Sequence, residues 1–115
     1  STYANPTTQP QRTVTIQEGK TVILHCTYNS SLVQSLFWYE QYAQDTPRVL
    51  LTQYEASSQQ EKRHRRGFSA NHQKDSKFFH LKKNSSEVSD SAVYHCTLRD
   101  TVSKAPKAAV QKSQD

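Results

Sequence analysis

Two cysteines, Cys26 and Cys96, are the residues of this sequence whose chemistry is plainest, because a pair of thiols can be oxidised to a disulfide. Each lies at the same phase of a segment in which apolar and polar residues alternate, TVILHCTY and SAVYHCTLR, so both side chains could point into one core. A bridge across so long a loop would stabilise the fold by about 4 kcal/mol in the chain-entropy model, against a typical net stability of roughly 5–15 kcal/mol. The alternative is two unlinked buried thiols in a cytosolic protein, which the series of strands between the cysteines disfavours.

Histidine, serine and acidic residues are also present, but their spacing does not match a catalytic or metal site. The histidines lack the i, i+4 or C-x-x-C spacing that a zinc site on one element requires. They are His25, His64, His72, His80 and His95. Glycine occurs only at positions 19 and 67, so there is no glycine-rich phosphate loop, and no nucleophile elbow, paired acidic motif or spaced triad is visible. We therefore expect no enzyme, no metal ion and no other cofactor.

Length and charge limit the class of protein further. With 115 residues and 13.2 kDa, the chain is long enough for one domain with its own core. The net charge of +5 is compatible with attraction to anionic surfaces or with a solvated basic face. No apolar stretch approaches the roughly 18 residues that span a bilayer, and the first residues, STYANPTTQP, lack the order of a signal peptide. These features are typical of a cytosolic domain or of an ectodomain.

The densest charge in the sequence is the basic run Lys62-Arg63-His64-Arg65-Arg66. Such a run could bind an acidic ligand, a glycosaminoglycan or nucleic acid, but it lacks the interleaved aromatic residues of a nucleic-acid surface. We interpret it as an exposed, solvated connection and expect no nucleic-acid partner.

The elements that must position these residues are short strands. Two strand segments in VTIQEGKTVILHC are joined by a turn at Glu18-Gly19-Lys20, and further strands are predicted in SLFWYEQY, PRVLLTQ, GFSANHQK, SKFFHLKK and SAVYHCTLR. No window has helical periodicity, and no segment repeats. Seven short strands separated by polar turns predict an all-β, two-sheet sandwich.

Several of these segments resemble a known family. Cys26, followed by Trp38 twelve positions later and by DSAVYHC ending at Cys96, resembles an immunoglobulin variable-type (V-type) domain. The segments LFWYEQY, RVLL, RRGFSANHQK, KFFHLKK and SEVSDSAVYHC are similar to the T-cell receptor alpha or delta chain. The resemblance implies a V-type sandwich with one inter-sheet disulfide, on which Trp38 packs.

The same resemblance implies further structural roles. Tyr94 would form the tyrosine corner, and Arg65 or Arg66 would pair with Asp90 across the bottom of the sandwich. The extra length between PRVLLTQ and GFSA leaves room for an additional edge strand. Glu40 is an anomaly, because alternation aims it towards the core; we expect it to meet water or an arginine near the end of its strand.

The function that the resemblance implies is recognition by loops at one end of the sandwich. These loops are residues 28–35, residues 54–60 and the segment after Leu98. Their candidate contact residues are Tyr28, Asn29, Gln34, Tyr54, Glu55, Gln59, Arg99 and Asp100. The implied ligand is a peptide–histocompatibility complex or a related protein.

A second surface is implied for a partner domain, because Tyr39 and Gln41 point away from the face that holds Trp38. In the family such positions meet a second variable domain, here of the beta type. The candidate residues are Tyr39, Gln41, Pro47, Leu50 and His95. His95 departs from the family, which often has an aromatic residue there, and it could pack, or weaken pairing and make it pH-dependent. The alternatives are a homodimer formed by the same face and a non-rearranging innate immune receptor or adhesion domain.

Two N-x-S acceptor triplets predict N-glycosylation at Asn29 and Asn84. They favour a location on the extracellular side of the plasma membrane, with membrane contact only through parts of the receptor outside this sequence. A glycan at Asn29 would crowd the first loop.

The last residues do not follow the family pattern. We assign 1–98 to the variable-type domain and 99–115 to a short third-loop region and a non-family tail, because no glycine follows Gly67 and the F-G-x-G joining strand is missing. The last strand is therefore expected to be absent or irregular. Asp100-Thr101-Val102 could be encoded with the CACAGTG heptamer that borders unrearranged variable gene segments, and the codons that follow allow the longer spacer and an A-rich nonamer. The tail is thus interpreted as translated germline flank.

Overall fold

The described part of the chain is built almost entirely from short antiparallel strands. The computed structural model describes residues 7–8 and 16–100, with the backbone only of residues 7, 8, 33, 34 and 100. Its elements are β1 (Thr7–Thr8), β2 (Val22–Leu24), β3 (Thr27–Tyr28), β4 (Val33–Gln41), β5 (Arg48–Thr52), α1 (Gln59–Arg65), β6 (Phe68–Gln73), β7 (Phe78–Lys83), a 3-10 turn (Val88–Asp90) and β8 (Val93–Asp100).

These strands form two sheets. In the five-stranded sheet, β7 pairs with β2 and β3 along one edge and with β6 along the other, while β1 pairs with β3. The three-stranded sheet has the order β5-β4-β8. The prediction of an all-β, V-type two-sheet sandwich is confirmed. Residues 101–115 lie outside the described residues, so the prediction about the last strand stays a prediction.

The core lies between the sheets and follows the two-residue alternation of the strands. In β4, Leu36 and Trp38 are buried, and in β7, Phe79 and Leu81 are buried. The complete buried apolar cluster is Cys26, Tyr28, Leu36, Trp38, Leu50, Leu51, Phe68, Phe79, Leu81 and Cys96. Burial of these large side chains supplies the main favourable term in folding.

One disulfide joins the sheets through the middle of this core. Cys26 follows β2 and Cys96 lies in β8, and their sulfur atoms are 2.02 Å apart. Trp38 lies opposite Cys96 in the register of β4 with β8, and its indole Nε1 donates a hydrogen bond to the carbonyl oxygen of Phe79 at 2.9 Å. The indole therefore links the two sheets beside the disulfide.

The connection between the sheets differs from the expectation. The predicted additional edge strand was wrong, because residues 59–65 form helix α1. The helix begins at Ser58, whose Oγ accepts a hydrogen bond from the backbone N–H of Glu61 at 3.1 Å, and Glu61 in turn bonds the N–H and Oγ of Ser57. An S-x-x-E capping pattern in SQQE was the sequence signal that this helix begins there.

Helix α1 lies against the edge strand β5. His64 donates from Nε2 to the carbonyl oxygen of Val49 at 3.0 Å, and Arg65 donates to the carbonyl oxygen of Tyr54 at 2.8 Å. The basic run therefore has structural partners, and these bonds satisfy backbone oxygens that a bare edge would expose.

Candidate binding and pairing surfaces

The outer face of the three-stranded sheet carries half-buried aromatic side chains. Phe37 and Tyr39 flank the inward-pointing Trp38 and so point outward, with ring centroids 6.0 Å apart. Tyr39 lies opposite His95 in β8 and opposite Val49 in β5. We call this surface the outer-sheet face, and it consists of Phe37, Tyr39, Gln41, Val49 and His95.

The polar groups of the outer-sheet face bond within the chain. The Nε2 of His95 lies 3.2 Å from Oε1 of Gln41, and because this amide oxygen can only accept, the imidazole must donate. The Nε2 of Gln41 donates to the carbonyl oxygen of Asp45 at 3.0 Å. Both ends of the Gln41 amide are thus engaged, and His95 lies within the face rather than beside it.

One residue predicted for this surface belongs to the core instead. Leu50 is 2% exposed, whereas Val49 is 38% exposed. The register of β4 with β5 shifts between Trp38 and Tyr39, so Trp38 is opposite Leu51 and Tyr39 is opposite Val49. Leu50 is the extra residue of this β-bulge and turns inward with Leu51.

Simple alternation in RVLL could not reveal which apolar residue faces outward, because a bulge breaks the two-residue period. Val49 and Phe37 were the surface residues that sequence reasoning missed. Pro47, which was predicted for the surface, is exposed just before β5.

The loops predicted to bind ligand emerge at one end of the three-stranded sheet. Strand β4 begins at this end, while β5 and β8 end there, because both pair antiparallel to β4. Val33 lies opposite Asp100, and Ser35 lies opposite Arg99, so the end of the first loop is next to the start of the third. The guanidinium of Arg99 lies 5.9 Å from the ring centroid of Phe37, which places this exposed cation at the loop end of the outer-sheet face.

The first loop is shorter than predicted. Tyr28 is a core residue, 5% exposed, and its hydroxyl lies 3.1 Å from Nε2 of His72. It therefore cannot serve as the ligand contact that the sequence suggested. The loop comprises residues 29–32, where Asn29 is exposed and its carbonyl oxygen accepts a bond from Lys77. Gln34 belongs to β4, and its side chain lies outside the described part of the chain.

The second loop presents a large exposed aromatic residue. Tyr54 is 66% exposed, and Glu55 beside it is also exposed. Gln59, predicted as a contact, is the exposed first residue of α1. Arg99 and Asp100, which were predicted to begin the third loop, instead belong to β8 and pair with β4. Arg99 is described fully and Asp100 for its backbone only, and the segment after Asp100 is outside the described residues.

An ionic network closes the opposite end of the sandwich. Arg66 Nη2 lies 2.6 Å from Oε2 of Glu40 and 3.4 Å from Oδ1 of Asp90. Lys83 lies 2.8 Å from Oδ2 of Asp90. Of the two arginines considered from sequence, Arg66 therefore contacts Asp90, while Arg65 pairs with Glu61 at 3.2 Å.

Glu40 is the most buried member of this network, with 1% exposure. Burial alone would raise the pKa of its carboxyl group, but the hydrogen-bonded charge of Arg66, with smaller help from Tyr94 and Tyr42, holds that pKa below its usual range. The hydroxyl of Tyr94 donates to the carbonyl oxygen of Asp90 at 2.6 Å, and burial raises the pKa of this phenol. The network joins β4, the α1–β6 connection and the turn before β8 at the end of the sandwich opposite the predicted loops.

The two glycosylation triplets lie at different places. Asn29 is exposed in the first loop, and Asn84 is exposed directly after β7, where its carbonyl oxygen accepts a bond from Thr21. Ser86, the third residue of the second triplet, is buried and donates from Oγ to the carbonyl oxygen of Gln17.

Within residues 16–100, the structure contains no group of three or more histidine, cysteine or acidic side chains that could hold a metal ion. Over the same residues there is no helix with the length and apolar character needed to cross a membrane.

Comparison with known proteins agrees with the geometry. The model of the immunoglobulin V-set domain family matches residues 9–112. The human protein "T cell receptor alpha variable 18" is 43% identical over 98 residues, which is 85% of this chain and 85% of that protein. A mouse protein, "T-cell receptor alpha chain V region CTL-F3", is 39% identical over 97 residues, covering 84% of this chain and 71% of the relative. The human "T cell receptor alpha variable 9-2" is 39% identical over 97 residues, with 84% of each chain covered.

T-cell receptor variable domains are not enzymes, which agrees with the expectation from the sequence. The matched segment includes both cysteines, the buried Trp38 and all the strands from β2 to β8. The chain therefore belongs to the immunoglobulin V-set family, as a variable-type domain of the T-cell receptor alpha kind.

Proposed function

We propose that this chain is the antigen-recognition variable domain of a T-cell receptor alpha- or delta-like chain. In this proposal it pairs with a second variable domain of the beta type and binds a peptide–histocompatibility complex, or a related protein, through its loops. The relatives named as T-cell receptor alpha chains support this assignment.

The observation that carries the pairing half of the proposal is the outer-sheet face. Phe37 and Tyr39 are large, half-buried aromatic residues on this face, and Val49 on the edge strand β5 adds exposed apolar area beside them. Partly exposed aromatic and aliphatic side chains gathered on one face are typical of protein interfaces. Because Gln41 and His95 already bond within the chain, apolar contact would supply most of the affinity.

The recognition half rests on the loops at the end of the sheet. We assign ligand contact to the exposed residues of the three loops and to two residues whose side chains are not described. These are Asn29, Tyr54, Glu55, Gln59 and Arg99, with Gln34 and Asp100. Tyrosine and asparagine side chains suit such a surface, because tyrosine offers large contact area at low entropic cost and amides adapt their hydrogen bonds.

We further propose that residues 1–98 form the evolved domain and that 99–115 are a short third loop followed by translated germline flank. The absence of glycine after Gly67 supports this assignment, since the joining strand of the family needs a glycine bulge. The coding DNA tests the idea directly. Codons other than those of the CACAGTG heptamer at positions 100 to 102 would contradict it.

The proposal places the domain on the extracellular side of the plasma membrane, with any membrane contact made by other parts of the receptor. The disulfide supports an oxidising location. Asn29 and Asn84 are exposed and are proposed as glycosylation sites, which mass spectrometry of the domain secreted from animal cells would test.

Two other functions use the same fold. The outer-sheet face could instead form a homodimer, or the domain could be a non-rearranging innate receptor or adhesion module. Sedimentation velocity of the disulfide-bonded domain, alone and mixed with a T-cell receptor beta variable domain, separates these functions. A heterodimer that forms only in the mixture supports the proposal, and a dimer of the domain alone favours self-association. A strict monomer in both samples contradicts pairing through this face.

A further inference from the structure

The strand that contains Cys26 is interrupted beside the disulfide. The register of β2 and β3 with β7 is continuous, since Leu24 is opposite Leu81 and Thr27 is opposite Phe78, so Cys26 lies opposite Phe79. Phe79 donates its N–H to the carbonyl oxygen of Cys26 at 2.8 Å. The reciprocal ladder bond would run from the N–H of Cys26 to the carbonyl oxygen of Phe79. It is replaced, because that oxygen accepts the indole N–H of Trp38 instead.

The N–H of Cys26 therefore lies outside the ladder and donates a hydrogen bond to His80 instead. Cys26 N lies 3.0 Å from Nδ1 of His80, the residue after Phe79. Cys26 is fully buried, so its N–H would lose a hydrogen bond at considerable cost without this acceptor. An imidazole nitrogen accepts only when it carries no proton, which assigns the proton of neutral His80 to Nε2.

The surroundings of His80 favour its neutral form. The ring of Phe78 stacks on it with centroids 4.2 Å apart, and the ring of His25 meets it edge-on at 4.7 Å. On β6, Asn71 lies opposite His80 and is uncharged. On β7, the charged residue Lys82 lies on the same side of the strand as His80. Burial, with a contribution from the charge of His25, lowers the pKa of His80.

We propose that His80 is an acid-sensitive clasp that holds the Cys26 segment to β7 when its imidazole is neutral and releases the segment when Nδ1 is protonated. A protonated Nδ1 would place a donor against the donor N–H of Cys26. The bond is then lost. The released segment is the one that carries the inter-sheet disulfide and leads through β3 into residues 29–32.

His72 lies beside the same segment but makes a contact of a different kind. His72 also contacts β3, through the hydroxyl of Tyr28 at 3.1 Å, and burial likewise lowers its pKa. A hydroxyl can accept as well as donate, so protonated His72 can still bond Tyr28. A backbone N–H can only donate, and this difference makes the Cys26 contact the one that acid breaks.

The sign of the effect follows from the direction of the pKa shift. A histidine whose pKa is lowered by folding stabilises the closed segment fully above its ordinary value near 6.5, and this stabilisation is lost as the pH falls through that value towards the lower folded one. With an ordinary pKa near 6.5 in the open segment, the equilibrium population of that segment rises as the pH falls from 7.5 to 5.5, by at most about tenfold.

Amide hydrogen exchange at Cys26, measured by NMR on the disulfide-bonded chain and corrected for intrinsic exchange, tests the clasp. We expect the opening constant of this amide to rise as the pH falls from 7.5 to 5.5, by at most about tenfold. In His80→Asn the amide oxygen can take the place of Nδ1 without titrating, so exchange should be nearly independent of pH. His64→Gln, in helix α1 beside the other sheet, serves as the matched control and should keep the rise of the unmodified chain.

Three results would overturn the proposal. They are an opening constant that does not change with pH in the unmodified chain, an unchanged rise in His80→Asn, and a proton on Nδ1 of His80 at pH 7.5 in imidazole nitrogen spectra. The clasp is tested without any ligand, so its failure would leave the proposed function standing. Only its influence on residues 29–32 as a binding loop rests on that function.

Discussion

Arg66 binds Glu40 through both terminal nitrogens of its guanidinium, with Nη2 2.6 Å from Oε2 and Nη1 3.2 Å from Oε1. Strand alternation forces position 40 to face the core, where an unpaired carboxylate would be very costly. Arg66, in the left-handed conformation at φ 50° that ends α1, brings its charge to this point and also reaches Asp90. One arginine thereby joins β4, the α1–β6 connection and the turn before β8.

Removing Arg66 should therefore destabilise the domain strongly. Arg66→Ala leaves Glu40 buried and uncompensated, and loss of one partner of a buried pair costs about 3–5 kcal/mol. We expect about 3 kcal/mol, since the side chain of Arg66 remains partly exposed. Urea unfolding measures the effect, with Arg63→Ala in the exposed part of α1 as the control. Equal stability of the two variants would show that the ion pair has no structural importance.

Acid should weaken the same network. The pKa of Glu40 and the pKa of Asp90 are both lowered in the folded chain, because Arg66 and Lys83 outweigh the opposing effect of burial. Lowered carboxyl pKa values give stability that is complete above the unfolded values near 4 and is lost as the pH falls through the folded ones.

We expect the free energy of unfolding to fall between about pH 5 and pH 2. The fall should be shallower in Glu40→Gln, and in Glu55→Gln, at an exposed position outside the network, it should match the unmodified chain. Unfolding curves recorded at several pH values measure this slope. An identical slope in Glu40→Gln would mean that Glu40 does not contribute.

The bulge in β5 gives neighbouring residues opposite roles. Val49→Asp places a charge on the outer-sheet face and should abolish pairing with a beta variable domain, while stability changes by no more than about 0.5 kcal/mol. Leu50→Ala opens a cavity in the core and should cost about 2–5 kcal/mol. Sedimentation with the partner and thermal unfolding measure the two effects. Normal pairing by Val49→Asp would show that Val49 lies outside the interface.

Substitutions of Tyr28 and Tyr54, two tyrosines near the loops, should also differ in their effect on stability. Tyr28 is buried and bonded to His72, so Tyr28→Ala should destabilise by about 3 kcal/mol or more, as other large-to-small core changes do. Tyr54 is mostly exposed, and Tyr54→Ala should change stability by less than about 0.5 kcal/mol. Thermal unfolding of both variants compares them directly. A similar loss in both would contradict the assignment of Tyr28 to the core and of Tyr54 to the surface.

Strand alternation and the Cys26, Trp38, Cys96 spacing were enough to predict the two-sheet fold, because a two-residue period has one buried face. Glu40 was expected to face inward and to meet water or an arginine, and the structure places it against Arg66. These inferences depend on regular geometry, which a sequence can display.

The failures come from irregular geometry and from contacts distant in sequence. Leu50 was misplaced by a β-bulge, helix α1 was missed although SQQE carried a capping signal, and Tyr28 was assigned to a loop that starts one residue later. The bond from Cys26 to His80 depends on Trp38 donating to the carbonyl oxygen of Phe79, and no local pattern encodes such an arrangement of four residues.

The central claim is that the outer-sheet face pairs with a second variable domain. Titrating the isotope-labelled chain with an unlabelled T-cell receptor beta variable domain, and following its amide signals by NMR, tests this claim most directly. We expect the changes to concentrate at Phe37, Tyr39, Gln41, Val49 and His95, while Ser69, Asn71 and Lys82 on the five-stranded sheet stay unperturbed. Changes confined to the five-stranded sheet, or no changes at saturating partner, would contradict it.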